Sequence, residues 1–170
     1  MKIIITFFTL LIIGFLILLT WKIPVNNFNL LRLNKNFESL SALHPLSSKR
    51  LLKFSDFGNF GESGGQCGYI IGEFRTSQLT KEEIMYYYKD LVIDSFKQDE
   101  VISLEVLFLD DGNFAHYPWS KWASFLYQKI QSSIQSPVIY LVIAASHNHL
   151  ADGDIRCYLS KFDSVRRKTS

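Results

Sequence analysis

The sequence holds only two cysteines, little surplus charge and no familiar ligand-binding pattern, and each shortage excludes something. Neither Cys67 nor Cys157 lies near the chain start, so lipoprotein processing there is excluded. The formal net charge is +2, and Lys2 supplies one of those charges. The rest of the chain is near neutral, and global electrostatics gives no reason to expect a nucleic-acid partner. Five glycines fall in the eleven residues 58–68. They lack the Lys-Ser/Thr ending of a phosphate loop and do not form G-x-G-x-x-G before a helix, which argues against a nucleotide site. Asp110-Asp111-Gly112-Asn113 resembles half of a calcium loop, but no bidentate Glu follows at the required distance, so it reads as a turn. No internal repeat and no low-complexity segment occurs.

The most telling absence is charge between Ile3 and Trp21. At about 1.5 Å per residue this run makes a helix of roughly 28 Å, close to the hydrocarbon thickness of a bilayer. Lys2 and Lys22 bracket it, and Trp21 stands where an interfacial aromatic belongs. A cleaved signal peptide has a shorter apolar region and small residues at its cleavage site. Here the run ends Leu-Leu-Thr-Trp-Lys-Ile-Pro, so an uncleaved single-pass anchor over residues 1–23 is expected. A buried core helix would keep a polar stripe, and this run has none. Lys2 and the α-amino group balance Lys22, Arg32 and Lys35 across the span too evenly to orient it. A short N-terminal tail with the bulk of the protein translocated is the common arrangement for such anchors, so the domain is expected outside the cytoplasm.

About 149 residues follow the run, enough for one domain, and their aromatic content supplies a core. Residues 24–47 read as a connecting segment. Ile23-Pro24 is expected to stop the first helix, and the asparagines at 26, 27, 29, 34 and 36 interleave with Phe28, Leu30, Leu31, Leu33 and Phe37 without a clear period. The domain spans 48–163. Its expected elements are strands at Lys49–Phe57 and Cys67–Thr76, a helix at 81–93 and a strand at Val101–Leu109. A helix from Pro118 to about Ser132 follows, then strands at Val138–Ala145 and Asp154–Ser160. Thr80-Lys-Glu-Glu83 has capping-box spacing, with Leu79 and Ile84 at the positions of a hydrophobic staple. Val138–Ala145 is apolar enough to be covered on both faces. This order predicts an α+β fold: the N-terminal transmembrane helix, then a two-layer sandwich of a mostly antiparallel sheet with two helices on one face. Residues 164–170, with Arg166-Arg167-Lys168, form a basic polar tail.

Cys67 and Cys157 lie beside inward-facing apolar positions of the expected strands, so a disulfide between neighbouring strands is the first reading in an oxidising compartment. Two buried thiols come second, and a Cys67 nucleophile at the end of the glycine loop third. His147 and His149 project to one face of an extended backbone, and Asp152 and Asp154 follow. Together they offer a Zn²⁺ ligand set, although Asn-His-Leu-Ala-Asp-Gly-Asp is also ordinary hairpin chemistry. Glu73 and Arg75 share the Cys67 face and form either an exposed pair or a polar edge with Asp56 and Glu62. His44 and His116 are isolated and expected at the surface. No cofactor is implied. The reading is a membrane-anchored extracytoplasmic module of the cell envelope that binds a partner protein and is not an enzyme. The alternative is a small envelope hydrolase using Cys67 or a metal at His147 and His149.

Overall fold

The computed structural model describes residues 2–40, 44–60, 67–97, 99–109, 120–128, 138–149 and 154–158. Helix α1 (Lys2–Thr20) is long and apolar enough to cross a membrane, and none of its apolar stretch is buried against the rest of the chain. Helix α2 (Lys22–Ser39) follows after one turn residue, Trp21, which itself keeps helical dihedrals (φ −58°, ψ −25°). Pro24 therefore does not end the helical course. It falls in the first turn of α2, where a backbone N–H has no intrahelical partner to lose.

The expectation of an irregular connection at 24–47 is corrected by α2, and the cause lies in its composition. Its inward stripe begins with amides, Asn26 and Asn29, and continues with Leu30, Leu33 and Phe37, with Leu40 just past its end. A search for apolar periodicity sees only the second half of that stripe.

The sheet runs β1 (Lys49–Asn59), β2 (Cys67–Ser77), β6 (Val138–His149), β5 (Glu105–Phe108), with every neighbouring pair antiparallel. Alternation along β2 sends Cys67, Tyr69 and Ile71 to one face and Ile70 and Phe74 to the other. Strand β6 divides likewise, Tyr140 and Val142 against Leu141 and Ile143. On the first face lie α2 and α3 (Lys81–Tyr88), through Leu33, Phe37, Ile84 and Tyr88. On the second lies α4 (Ser120–Gln128), through Ala123, Leu126 and Tyr127. The mixed α+β architecture with an antiparallel sheet is as expected, but α3 and α4 use opposite faces. The central strands are apolar on both sides and require cover on both.

Three further elements differ from expectation. The helix capped by Thr80 ends at Tyr88, and Val92–Asp94 leaves it to form β3, pairing with β4 (Val101–Ser103) in a separate two-stranded ladder. The expected single strand at 101–109 divides at Leu104, whose N–H donates to the Leu91 carbonyl at 3.2 Å, so that β4 and β5 serve different sheets. At 154–158 there is a 3₁₀ turn, Ile155–Cys157, in place of a strand, because the Asp154 carboxylate accepts from the Arg156 N–H and caps it. The expected turn at 110–113, the loop at 61–66, His116 and the tail at 164–170 lie outside the described residues.

Candidate functional site

A β-bulge builds the most unusual polar site in the domain. Arg50 and Lys53 are three apart in β1, and a regular strand would send them to opposite faces. The register shifts between Arg50 and Leu52, so Arg50 pairs with Arg75 and Lys53 with Glu73. One extra residue has brought four charged side chains onto one face of two strands. They line a cleft of about 250 Å³, completed by Phe37 and Glu38 from the last turn of α2 and by His44.

The floor of the cleft is buried. Glu73, with 2% of its surface exposed, takes the Arg75 guanidinium and His44 Nε2 on one oxygen, the latter at 2.7 Å. Its other oxygen is 3.7 Å from Arg50. Arg75 continues to Ser48, donating to the hydroxyl through Nε and Nη2 at 3.1 and 2.9 Å. On the far side, His44 Nδ1 meets the Tyr88 hydroxyl at 2.7 Å, and that hydroxyl is 3.5 Å from Tyr140. A carboxylate only accepts, so Nε2 must carry the proton that faces Glu73.

Burial alone would raise the Glu73 carboxyl. The hydrogen bond and charge of His44, then those of Arg75, outweigh it and hold the group below its ordinary value. Burial drives Tyr88 the other way, far above the usual tyrosine value, with the bond to Tyr140 adding to it. Carboxylate, imidazole and hydroxyl thus stand in the order of a nucleophile-activating relay. The hydroxyl at its end faces the core, 1% exposed and held protonated, so it cannot reach a substrate in the cleft.

At the rim, Lys53 pairs with the half-exposed Glu38. Arg50 is half exposed, and its closest ion pair among the described residues is the 3.7 Å approach to Glu73. The expectation that His44 is a surface residue, and that Glu73 and Arg75 form an exposed pair, is therefore corrected. All three are buried together. Asp56, proposed as part of the same edge, shares the Phe54 face of β1, with its Oδ1 accepting from the Phe57 N–H at 2.8 Å. Glu62 lies outside the described residues. The signal open to sequence reading was Glu73 and Arg75 two apart inside an apolar strand.

A second polar cluster ties the start of α2 to the far end of the chain. Asn26 Nδ2 donates to Asp154 at 2.9 Å, and the Tyr69 hydroxyl donates to Asn26 Oδ1. Arg156 grips the same carboxylate through Nε and Nη2 and reaches Asn27 Oδ1 at 2.7 Å. Burial pushes the Asp154 carboxyl up, but its bonds from Arg156 and Asn26 win and bring it to about 2. Beside this cluster Cys67 and Cys157 form a disulfide with their Cα atoms 5.1 Å apart, joining a strand to the 3₁₀ turn. The bond leaves Cys67 no thiolate for nucleophilic attack.

Of the candidate metal ligands the structure describes only a part. His147 and His149 end β6, Asp152 lies outside the described residues, and Asp154 is held by Arg156 and Asn26. Among the described residues no group of three or more His, Cys, Asp or Glu is placed to hold a metal ion. The chain matches no known protein-family model, no curated protein and no solved structure.

Proposed function

We propose that the chain is a single-pass membrane protein whose domain stands in an extracytoplasmic, oxidising compartment and works there by binding a partner protein, as an accessory module of the cell envelope. The observation that carries this reading is the continuity between an unburied apolar helix and a disulfide-closed domain. Helix α1 has no protein partner for its apolar surface among the described residues, and a bilayer supplies one. Helix α2 then enters the domain directly, with Asn26 bonded to Asp154 three residues before Cys157.

One surface feature supports the membrane setting and a second the binding role. Ile155 and Tyr158 are 60% and 68% exposed on the turn that Arg156 holds against α2, close to where the chain leaves α1. Such residues suit the headgroup layer, where apolar bodies with a polar tip are favoured. On α3, Met85, Tyr86 and Tyr87 are exposed while Tyr88 is buried. Exposed tyrosines offer a protein partner rigid contact area.

The test is thiol labelling in intact cells with a membrane-impermeant reagent, before and after reduction, together with alkaline extraction of the membranes. Labelling of Cys67 and Cys157 only after reduction, on a protein that stays in the membrane pellet, is the expected result. Labelling that requires cell lysis, without any need for reductant, places the domain in the cytoplasm and overturns the reading. The partner-binding half is tested by a photoreactive residue at Tyr86, expected to give one discrete crosslinked species that Tyr86→Lys with the probe moved to Glu82 abolishes.

A further inference from the structure

We infer that the cleft over His44 and Glu73 is a binding site for a carboxylate, with Arg50 and Lys53 as the groups that receive it. The inference rests on reading the domain as a binding module and names the chemistry that the module takes.

The charges of the cleft set the class of ligand. Arg50, Lys53 and Arg75 stand against Glu38 and Glu73, so these five groups alone leave one positive charge in excess. A monoanion matches that excess. A phosphate dianion would bring a second negative charge against the two wall carboxylates. The mouth already holds a carboxylate of this chain, Glu38 on Lys53. Glu38 is half exposed, so its end of the pair can swing into solvent and leave Lys53 to a competing anion.

The two receiving groups differ from the floor. Arg75 is committed to Glu73 and Ser48, and Glu73 to Arg75 and His44. Arg50 reaches Glu73 at only 3.7 Å, with half its side chain in solvent, so its guanidinium fork is open to a bidentate partner. The bulge that turns Arg50 to the Lys53 side costs regular pairing at this point, and its effect is to aim both cations at one space. Phe37 lines the same space and gives an apolar wall to the carbons that bear the carboxylate. That carboxylate comes either from an acidic side chain of a protein partner or from a free small acid.

The experiment uses the full chain in lipid nanodiscs at fixed pH and ionic strength. Sodium propionate is titrated while the His44 ring signals are followed by nuclear magnetic resonance, with inorganic phosphate as the competing probe. The expected result is a saturable shift with propionate, weakened about tenfold or more in Arg50→Gln and unchanged in Lys97→Gln. Arg50 is half exposed, so its variant is expected to keep the wild-type thermal midpoint, and Lys53→Gln provides an independent second variant. A shift that never saturates, one that survives both cleft variants, or tighter binding of phosphate than of propionate overturns the inference. A Gly-Asp-Gly peptide with blocked ends then separates the sources. Binding tenfold tighter than propionate assigns a polypeptide carboxylate, and equal binding assigns a small acid. Membrane extraction and thiol labelling are unaffected by these variants, so failure here is distinct from failure of the anchored-module reading.

Discussion

Asn26 and Asp154 lie 128 residues apart in sequence, and the Asn26 amide donates to the Asp154 carboxylate at 2.9 Å. The same Asn26 accepts from the Tyr69 hydroxyl, so one side chain at the start of α2 joins β2 and the 3₁₀ turn. Asn26→Ala leaves a buried carboxylate short of a donor and a buried hydroxyl short of an acceptor. Urea denaturation of the full chain in micelles should show a loss of about 2 kcal/mol. Asn34→Ala on the same helix should cost less than about 0.5 kcal/mol.

Acid should loosen this cluster in a defined window. The Asp154 carboxyl lies at about 2, below its ordinary 3.8, so the folded state binds its proton less readily than the unfolded one. Its contribution is complete above pH 3.8 and is lost as pH falls toward 2, about 2 kcal/mol in all. Glu73, also held below its ordinary value, adds a loss of the same sign. Denaturation midpoints measured between pH 5 and 2 should fall less steeply in Asp154→Asn than in the wild type.

Reduction of the Cys67–Cys157 bond should destabilise the domain more than any single surface change. The two residues are 90 apart, and closing so long a loop restricts the unfolded chain by up to about 4–5 kcal/mol. The thermal midpoint should drop on adding reductant, and the Cys67→Ser, Cys157→Ser variant should start at the lowered value and not respond to reductant.

Breaking the buried pair at the cleft floor should be costly. Glu73→Gln keeps the shape but leaves Arg75 buried without its counter-charge, a change expected to cost about 3 kcal/mol by denaturant titration. Lys53→Gln, at the rim of the same cleft, should cost under about 1 kcal/mol.

Gly72 marks a close approach between β2 and β6. A Cβ there would stand 2.5 Å from the Val142 carbonyl oxygen and 2.8 Å from Phe54 Cζ. Phe54 can rotate, but the Val142 backbone cannot withdraw without disturbing the β2–β6 ladder. Gly72→Ala should therefore lower stability by about 1–3 kcal/mol, and differential scanning calorimetry would register it as a fallen midpoint.

How much of this was legible depended on whether a feature repeats with a local period. The Thr80–Glu83 capping box forms with both of its hydrogen bonds, because all its atoms lie within one turn. The two faces of β2 follow simple alternation, and the Cys67–Cys157 bond forms as expected, although Cys157 reaches it from a 3₁₀ turn and not from the expected strand. Helix α2 was hidden because amides open its inward stripe and find their partners far away in sequence. Arg50 was assigned no role because the bulge changes the phase of the strand by one residue, which no composition rule signals. His44 gave no sign of burial, since its partners Glu73 and Tyr88 come from a strand and a helix that meet only in the fold.

The helical dihedrals at Trp21 carry a mechanical consequence. Helix α2 has 18 residues, so it is a lever of about 27 Å rooted at the end of α1. In a bilayer, a change of thickness that tilts α1 by about 10° would sweep the far end of that lever through about 5 Å. Phe37 and Glu38 stand at that far end, while Asn26 and Asn27 fasten the near end to the turn at Asp154 and Arg156. With α1 seated in a bilayer as proposed, the domain would swing with that helix, and the helix tilt would set the direction in which the cleft opens.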